Sequence, residues 1–255
     1  MDFKEIIKNS QYDFLRDDVR LSDNIVLLTI GGSHAYGTSV NSLEHTSDID
    51  IRGIRLNSRE EILTMNCDNK PYENKELDVV IYPLKQIISL LSSCNPNTLE
   101  IIGTREEDIL YIGEEGRMLR DNSEIFLSQI AYNSFGGYAL SQLKRLENTL
   151  EREGKDFDKA TERRVLKNAM HLIRLLITGS EVLSGKGINV YRKNERELLL
   201  DIRNGKYTYD EIFQIVHRYE EEFEYAAKHT TLPLKPDYNR INELVIEINK
   251  KVVEV

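Results

Sequence analysis

Hydrophobic positions follow two different patterns along the chain, and the change falls near residue 125. Before it, short apolar runs bounded by glycine, asparagine or proline predict strands, and the stretches between them have helical periodicity. Three strands are predicted, by NIVLLTIGG at 24–32, SDIDIRGIRL at 47–56 and NKELDVVIYPL at 74–84. Helices are predicted at 2–18, 83–94 and 97–103.

Beyond residue 125 the pattern is helical throughout. Five amphipathic segments predict helices, the first with an interruption at Gly136 and Gly137: 123–152, 159–185, 195–206, 208–230 and 238–255. The predicted fold class is therefore α+β. A domain of residues 1–125 would hold a mixed β-sheet with helices, and residues 126–255 would form an all-helical domain.

Composition is typical of a soluble globular protein. Of 255 residues, 40% are hydrophobic and 30% are charged, and apolar runs such as IVLLTI are far shorter than the roughly 20 residues that span a membrane. The first ten residues show no signal peptide. Cys67 and Cys94 fit neither a metal motif nor a disulfide framework. Together these features predict a cytoplasmic protein without membrane association.

Charge is distributed unevenly along the chain. A net charge of −9 argues against indiscriminate binding of nucleic acid through a generally positive surface. Residues 159–203 nevertheless carry ten Lys and Arg against five Asp and Glu, a net +5, which leaves −14 for the remainder. This local excess is suited to a polyanion such as a nucleotide or an RNA end, although a solvated helix face would have the same composition.

Two aspartates two positions apart are the first candidates for chemistry. On a strand, residues i and i+2 point to the same face, so Asp48 and Asp50 would project together. Their carboxylates would repel each other unless a cation lies between them, and a divalent metal meets that need. A solvated strand edge can carry the same pattern without any function.

A glycine-rich turn precedes the two aspartates. Gly31, Gly32 and Ser33 follow the apolar run at 25–30 and lead into a segment that can begin a helix. Glycines let the backbone approach an anion closely, and the N–H groups of such a turn would cradle a phosphate together with the Ser33 hydroxyl. The alternative is a strand-to-helix turn with no ligand.

A third acid lies on the strand predicted at 74–84. Glu76 and Asp78 would share one face of that strand, and either could reach the metal pair. Asp78 is favoured because it directly precedes the apolar run at 79–81 and would lie deeper in the sheet. A carboxylate beside bound metal can act as a ligand and as the general base for an attacking hydroxyl.

The order Gly32-Ser33, Asp48-x-Asp50 and then Asp78 resembles the DNA polymerase β-like nucleotidyltransferase superfamily. More narrowly, GGSHAYGTSV and TSDIDIRGI resemble predicted nucleotidyltransferases associated with RNA ligases and RNA repair in bacteria and phages. Further similar stretches are NPNTLE at 95–100, KNAMHLIRLL at 167–176 and LPLKPD at 232–237. The likeness therefore extends over most of the chain.

The resemblance implies a role for each motif residue. Gly32 and Ser33 would bind the triphosphate of an NTP such as ATP, Asp48 and Asp50 would bind Mg²⁺ or Mn²⁺, and Asp78 would be the third acid. Because Asp78 is recognised by position alone, Glu76 remains an alternative to it.

The helix predicted at 159–185 provides a separate argument. Four polar residues fall within about 80° of one another on a helical wheel, beside the apolar face: Arg163, Lys167, His171 and Arg174. Lys167 and Arg174 are thus candidate ligands for a triphosphate or for RNA phosphates. His171 would either contact the nucleotide or satisfy a backbone group.

These features favour an enzyme that transfers a nucleoside monophosphate from an NTP to a hydroxyl and releases pyrophosphate. By resemblance the acceptor is an RNA 3′ end in RNA or tRNA repair, with RNA entering along residues 159–203, NTP bound in a cleft closed by the helical domain, and an RNA-ligase-pathway protein as a possible partner. Two alternatives stay open. The acceptor could be a protein or a small molecule, or the chain could be a non-catalytic nucleotide-binding module.

Overall fold

The structure is a computed structural model that describes residues 7–41, 46–65, 69–153 and 158–254. Cys67 and residues 2–6 of the helix predicted at 2–18 lie outside these residues. The rest of that prediction is wrong, because residues 7–18 form a 3₁₀ turn at Ser10–Tyr12 and a four-residue helix at Phe14–Asp17 rather than one continuous helix. Over the described ranges the fold is α+β, as predicted, with a mixed five-stranded sheet in the first half and a helical region after it.

The described residues form five strands: β1 (Ile25–Ile30), β2 (Ile51–Arg55), β3 (Tyr72–Asn74), β4 (Val79–Pro83) and β5 (Ile109–Ile112). The α-helices in the same ranges are α1 (Phe14–Asp17), α2 (Gly32–Tyr36), α3 (Arg59–Leu63), α4 (Leu84–Ser92), α5 (Pro96–Gly103), α6 (Glu114–Asp121), α7 (Ile130–Glu153), α8 (Lys159–Leu183), α9 (Arg196–Arg203), α10 (Tyr209–His229) and α11 (Tyr238–Val253). Short 3₁₀ turns cover Ser10–Tyr12, Ser22–Asn24, Glu106–Asp108 and Ser123–Phe126. No helix in the described ranges is long and apolar enough to cross a membrane.

The chain divides into two compact units. Unit 1 consists of Met1–Ser92, Asn97–Phe126 and Pro236–Val255, and unit 2 of Ser93–Pro96 and Leu127–Lys235.

Helix α11, which the hydrophobic pattern grouped with the helical domain, therefore lies in unit 1. Its start is held there because the Asp237 amide donates to the Ile125 carbonyl (3.0 Å) and Arg240 pairs with Glu124 (2.9 Å). These contacts join residues more than a hundred positions apart, which periodicity does not reveal.

The sheet of unit 1 has the strand order β3-β4-β2-β1-β5. Strands β2 and β4 are parallel, with Ile51 opposite Val79, and the other neighbours are antiparallel. Because parallel strands begin at the same edge, the residues just before β2 and β4 are brought side by side. Those residues are Asp50 and Asp78.

Strand β1 lies inside the sheet and is buried at all six positions, which explains its uninterrupted apolar run. Leu28 and Ile30 pack with Ile51 and Ile81 in the core of unit 1. The two flanking strands that sequence patterning missed, β3 and β5, are short and partly exposed, so their alternation is weak.

Two predicted strands begin later than the pattern indicates. SDIDIRGIRL enters the sheet only at Ile51, and in NKELDVVIYPL the strand β4 begins only at Val79, after Asn74 has ended β3. In the second case the Asn74 side chain accepts the backbone N–H of Glu76 and of Leu77 (both 3.2 Å), and this ends β3 in a turn over residues 75–78. The prediction that Glu76 and Asp78 share a strand face is therefore wrong.

Unit 2 is built around α8, which packs against α7, α9 and α10. Asp158 begins α8 by accepting the Thr161 amide at 2.7 Å. The interruption predicted at Gly136 and Gly137 is wrong, because helix α7 continues through both residues. Gly179 lies within α8, and its lack of a side chain lets the Phe223 ring pack closely, since a Cβ there would be 2.6 Å from that ring.

Two glycine-to-alanine substitutions are expected to change stability in opposite directions. A Cβ on Gly116 of α6 would lie 2.2 Å from the Val26 carbonyl oxygen, whereas one on Gly137 of α7 would meet nothing within 4 Å. Gly116→Ala should lower the free energy of unfolding of unit 1 by about 1–3 kcal/mol. Gly137→Ala should raise that of unit 2 by up to about 1 kcal/mol through helix propensity. Urea unfolding followed by circular dichroism measures both, and a stabilised Gly116→Ala would contradict the close approach of α6 to β1.

Candidate active site

The glycine turn after β1 lies directly against Asp50. The Gly31 amide donates to the Asp50 carbonyl at 2.8 Å, and Gly32 has a left-handed φ of +57°. A Cβ on Gly32 would lie 1.9 Å from Asp50 Oδ2. Only glycine fits at this position, for reasons of both backbone conformation and space. The structure thus brings together the glycine turn and the acid motif that the sequence separates by eighteen residues.

Ser33 lies in the first turn of α2, as predicted for a segment that begins a helix. The helix is short and ends at Gly37, whose φ of +74° is the left-handed conformation common after a helix. The motif GGSHAYG is therefore one compact strand–turn–helix connection in unit 1.

Two hydrogen bonds join Val40, shortly after this helix, to Ser47, which directly precedes Asp48. The Ser47 hydroxyl accepts the Val40 amide at 3.0 Å, and the Ser47 amide donates to the Val40 carbonyl at 2.9 Å. Ser47 is buried, and Asp48, the next residue, is exposed. Asp48 and Asp50 precede β2 rather than lie on it, so their shared face is not fixed by strand pairing.

Asp50 and Asp78 are joined through one arginine. Nη2 of Arg52 lies 2.9 Å from Oδ1 of Asp50 and 2.9 Å from Oδ1 of Asp78. Nη1 of Arg52 donates to the Asp78 carbonyl at 2.7 Å. The Asp78 carbonyl also accepts the Ile51 amide at 3.0 Å, the bond that ties β4 to β2. The two acids therefore converge on a single cation.

Asp78 and Glu76 differ in what they contact. Asp78 has a φ of +47°, an uncommon conformation that Asp tolerates better than most residues, and it is fixed by the β2–β4 pairing. Glu76 is exposed in the turn, where its amide donates to Asn74. The choice of Asp78 as third acid stays a prediction, and its position beside Asp50 supports it.

The metal prediction can be compared with the donor groups present. Within the described ranges, no three Asp, Glu, His or Cys side chains gather closely enough to hold a metal ion. Two carboxylate oxygens do meet at one positive group, the Arg52 guanidinium. Oxygens of this kind suit Mg²⁺ or Mn²⁺, so the donor chemistry of Asp50 and Asp78 fits a divalent cation, and the role of the exposed Asp48 as a third ligand stays a prediction.

The three candidate ligands on α8 are in different environments. Lys167 is exposed, whereas Arg174 is buried and donates from Nη2 to Nδ1 of His171 at 3.1 Å. Since arginine only donates, Nδ1 carries no proton and the neutral ring is protonated at Nε2. Burial, together with the positive charges of Arg174 and Lys167, lowers the pKa of His171 to about 3. Their phosphate-binding roles stay predictions.

The basic segment at 159–203 is only partly at the surface. Of its ten Lys and Arg residues, Arg174 and Arg192 are buried, and Arg192 pairs with Glu181 at 2.8 Å. Seven are exposed: Lys159, Arg163, Arg164, Lys167, Lys186, Lys193 and Arg196. The positive surface of this segment is therefore smaller than the sequence count indicates.

Arg52 is the site residue that the sequence analysis missed. Its position two residues after Asp50 was a usable signal, because an arginine so close to a pair of acids is a natural counter-ion. Its contact with Asp78 could not be predicted from the sequence, because it depends on the pairing of β2 with β4.

Comparison with known protein families shows that the chain is a protein of the DNA polymerase β-like nucleotidyltransferase class. It belongs to the RNA repair pathway DNA polymerase beta family, RlaP, whose pattern it matches over residues 1–247. The resemblance drawn from the GGSHAYG and SDID motifs is thereby confirmed.

Other comparisons add little. No curated protein matches the chain. Among solved structures it is similar to a nucleotidyltransferase-like protein from Exiguobacterium sibiricum 255-15, with 11% identity, 98% of this chain and 80% of the other covered, and a TM-score of 0.30. A likeness at that level supports no argument about the site.

Replacing Gly32 by alanine tests its contact with Asp50. Gly32→Ala should destabilise unit 1 by about 1–3 kcal/mol, because the new methyl group meets Asp50 and the left-handed backbone is strained. In the Asp50→Ala background the loss should be smaller, since only the backbone strain remains. Urea unfolding of the natural chain, the two single variants and the double variant measures the coupling free energy between the substitutions. If the two losses of stability simply added, the contact between Gly32 and Asp50 would be contradicted.

The low pKa of His171 predicts a pH-dependent stability. His171 has a pKa of about 3 when folded, against an ordinary value of 6.5, so the unfolded chain binds more protons between these pH values and stability falls as pH drops through that window. From pH 7.5 to pH 5 this histidine should account for about 2 kcal/mol of lost stability. His171→Asn, which keeps an acceptor for Arg174, should remove that part of the loss. If the free energy of unfolding fell by the same amount between pH 7.5 and pH 5 in the natural chain and in His171→Asn, the low pKa of His171 would be refuted.

Proposed function

We propose that the protein is a Mg²⁺- or Mn²⁺-dependent nucleotidyltransferase that transfers a nucleoside monophosphate from an NTP to the 3′ hydroxyl of an RNA. The observation that carries this proposal is the close approach of Gly32 to Asp50, with Asp78 beside Asp50 at the start of the parallel strand. Membership of an RNA repair family supports the RNA acceptor.

Phosphate binding is assigned to the turn after β1. Gly32 has no side chain, so the backbone of the turn packs directly against the Asp50 carboxylate, and the N–H groups of such a turn can bind a phosphate. Ser33 adds a hydroxyl at the start of α2. The triphosphate would thus lie beside the acids that hold its metal ions, an arrangement that phosphoryl transfer requires.

At the α-phosphorus the reaction forms one bond and breaks one, and one proton is transferred. The acceptor oxygen attacks the α-phosphorus of the NTP, the bond from that phosphorus to the bridging α–β oxygen breaks, and pyrophosphate leaves. Asp78, whose side chain is 49% exposed, takes the hydroxyl proton. Divalent metal held by Asp48, Asp50 and Asp78 would supply charge stabilisation for the transferred phosphoryl group.

A protein or small-molecule hydroxyl is the second candidate acceptor. It is favoured by the burial of Arg174 and Arg192, which removes positive charge from the surface, and by the acidic charge of the whole chain. The chemistry and the roles of Asp48, Asp50 and Asp78 would be the same for either.

Substitution of the acids tests the chemistry. Asp48→Asn and Asp50→Asn should each reduce transfer by about a thousandfold or more, because they remove a metal-binding charge without changing side-chain size. Glu76→Gln is the matched control and should leave the rate within about twofold, whereas Asp78→Asn should resemble the other two. Equal effects of Asp78→Asn and Glu76→Gln would contradict the choice of third acid.

The assay measures incorporation of label from each α-³²P NTP, with Mg²⁺ or Mn²⁺, into total RNA and into total protein. Label entering RNA, and lost in Asp50→Asn, is the expected result. Label entering only protein would replace the RNA acceptor by the second candidate. Full activity in both Asp48→Asn and Asp50→Asn would refute the proposed function.

A further inference from the structure

Arg52 lies where a metal ion would have to act. It is the second residue of β2, with a side chain 25% exposed, and it makes two ion pairs and two backbone hydrogen bonds. The ion pairs go to Asp50 and Asp78, and the hydrogen bonds go to the carbonyls of Asp78 (2.7 Å) and Ile51 (3.0 Å). A guanidinium group therefore already neutralises two of the three proposed metal ligands.

A divalent cation and this guanidinium compete for the same oxygens. Mg²⁺ binds carboxylate oxygens at about 2.0–2.1 Å, closer than the arginine nitrogen can approach, and it demands near-octahedral geometry. Oδ1 of Asp50 and Oδ1 of Asp78 each lie 2.9 Å from the same Nη2. Metal binding through these two oxygens requires Arg52 to leave at least one acid.

The stem of Arg52 shows where the released guanidinium would be. A Cβ on Gly31 would lie 3.0 Å from Cγ of Arg52, so the side chain lies along the glycine turn. In the proposed function this turn binds the triphosphate. Arginine binds phosphate oxygens in a bidentate manner, so a phosphate there offers Arg52 a new partner.

We propose that Arg52 is a ligand-exchanging residue of the site: it pairs with Asp50 and Asp78 when metal is absent, and pairs with the phosphates of the bound NTP when metal occupies the acids. This inference rests on the proposed function. Before metal and nucleotide bind, Arg52 is the counter-ion that keeps the two acids together. It also links binding of metal to binding of nucleotide, since each favours the same position of Arg52.

Binding measurements on the full chain test the exchange without relying on turnover. Calorimetric titration with Mn²⁺ alone, and with Mn²⁺ plus inorganic tripolyphosphate, should be compared for the natural chain and Arg52→Met, which keeps the apolar stem. Arg52→Met should bind Mn²⁺ alone about tenfold more tightly, the scale of two partly screened ion pairs, and Mn²⁺-tripolyphosphate about tenfold more weakly. A merely structural arginine would not change the two affinities in opposite directions.

Two further variants keep the test decisive. Arg117→Met is the matched control, since Arg117 also makes a two-bond ion pair in unit 1, to Glu106 at 2.8 and 3.2 Å, outside the site. It should change neither affinity. Arg52→Lys keeps the charge without the forked geometry and should be intermediate, and it replaces Arg52→Met if circular dichroism shows that variant unfolded.

The outcomes separate this inference from the proposed function. Mn²⁺ binding that is lost in Asp50→Asn but unchanged in Arg52→Met would overturn the inference and leave the metal site intact. Tighter binding of both Mn²⁺ and Mn²⁺-tripolyphosphate by Arg52→Met would overturn the move to the phosphates. Absence of Mn²⁺ binding in every protein, the natural chain included, would overturn the metal site itself and the inference with it.

Discussion

Parallel pairing of β2 with β4 is the constraint on which the candidate site depends. The bond from the Ile51 amide to the Asp78 carbonyl places Val79 opposite Ile51, and so sets Asp50 and Asp78 side by side at one edge of the sheet. Neither carboxylate is positioned by its own hydrogen bonds alone. The apolar residues that follow them, buried in the core of unit 1, hold the two acids at this edge.

Electrostatics explains the groups around that edge. Two carboxylates that lie close together need a positive partner. Arg52, the second residue of β2, pairs with both of them. The glycine turn completes the arrangement because Gly32, which has no side chain, lets the backbone lie directly against the Asp50 carboxylate. A pair of acids and a glycine turn therefore lie next to each other in unit 1.

Unit 2 shows the opposite use of charge. Arg174 and Arg192 are buried; the first is hydrogen-bonded to His171 and the second is paired with Glu181. These two arginines therefore contribute to the packing of unit 2 and not to its surface charge. A count of charges along the sequence cannot distinguish these two uses. Burial depends on which helices pack against α8, and that packing is a property of the tertiary structure.

By itself the sequence determined the α+β class, strand β1, the long helices and the motif that identifies the family, because apolar periodicity and glycine-serine and acid-x-acid spacing are local signals. Strand starts, the continuity of α7 through two glycines, and the place of α11 in unit 1 were decided by side-chain hydrogen bonds and long-range packing. The link from Asp50 through Arg52 to Asp78 also needed the tertiary structure. It joins residues on two strands whose register is set only when the sheet forms, and no spacing along a single chain encodes that register.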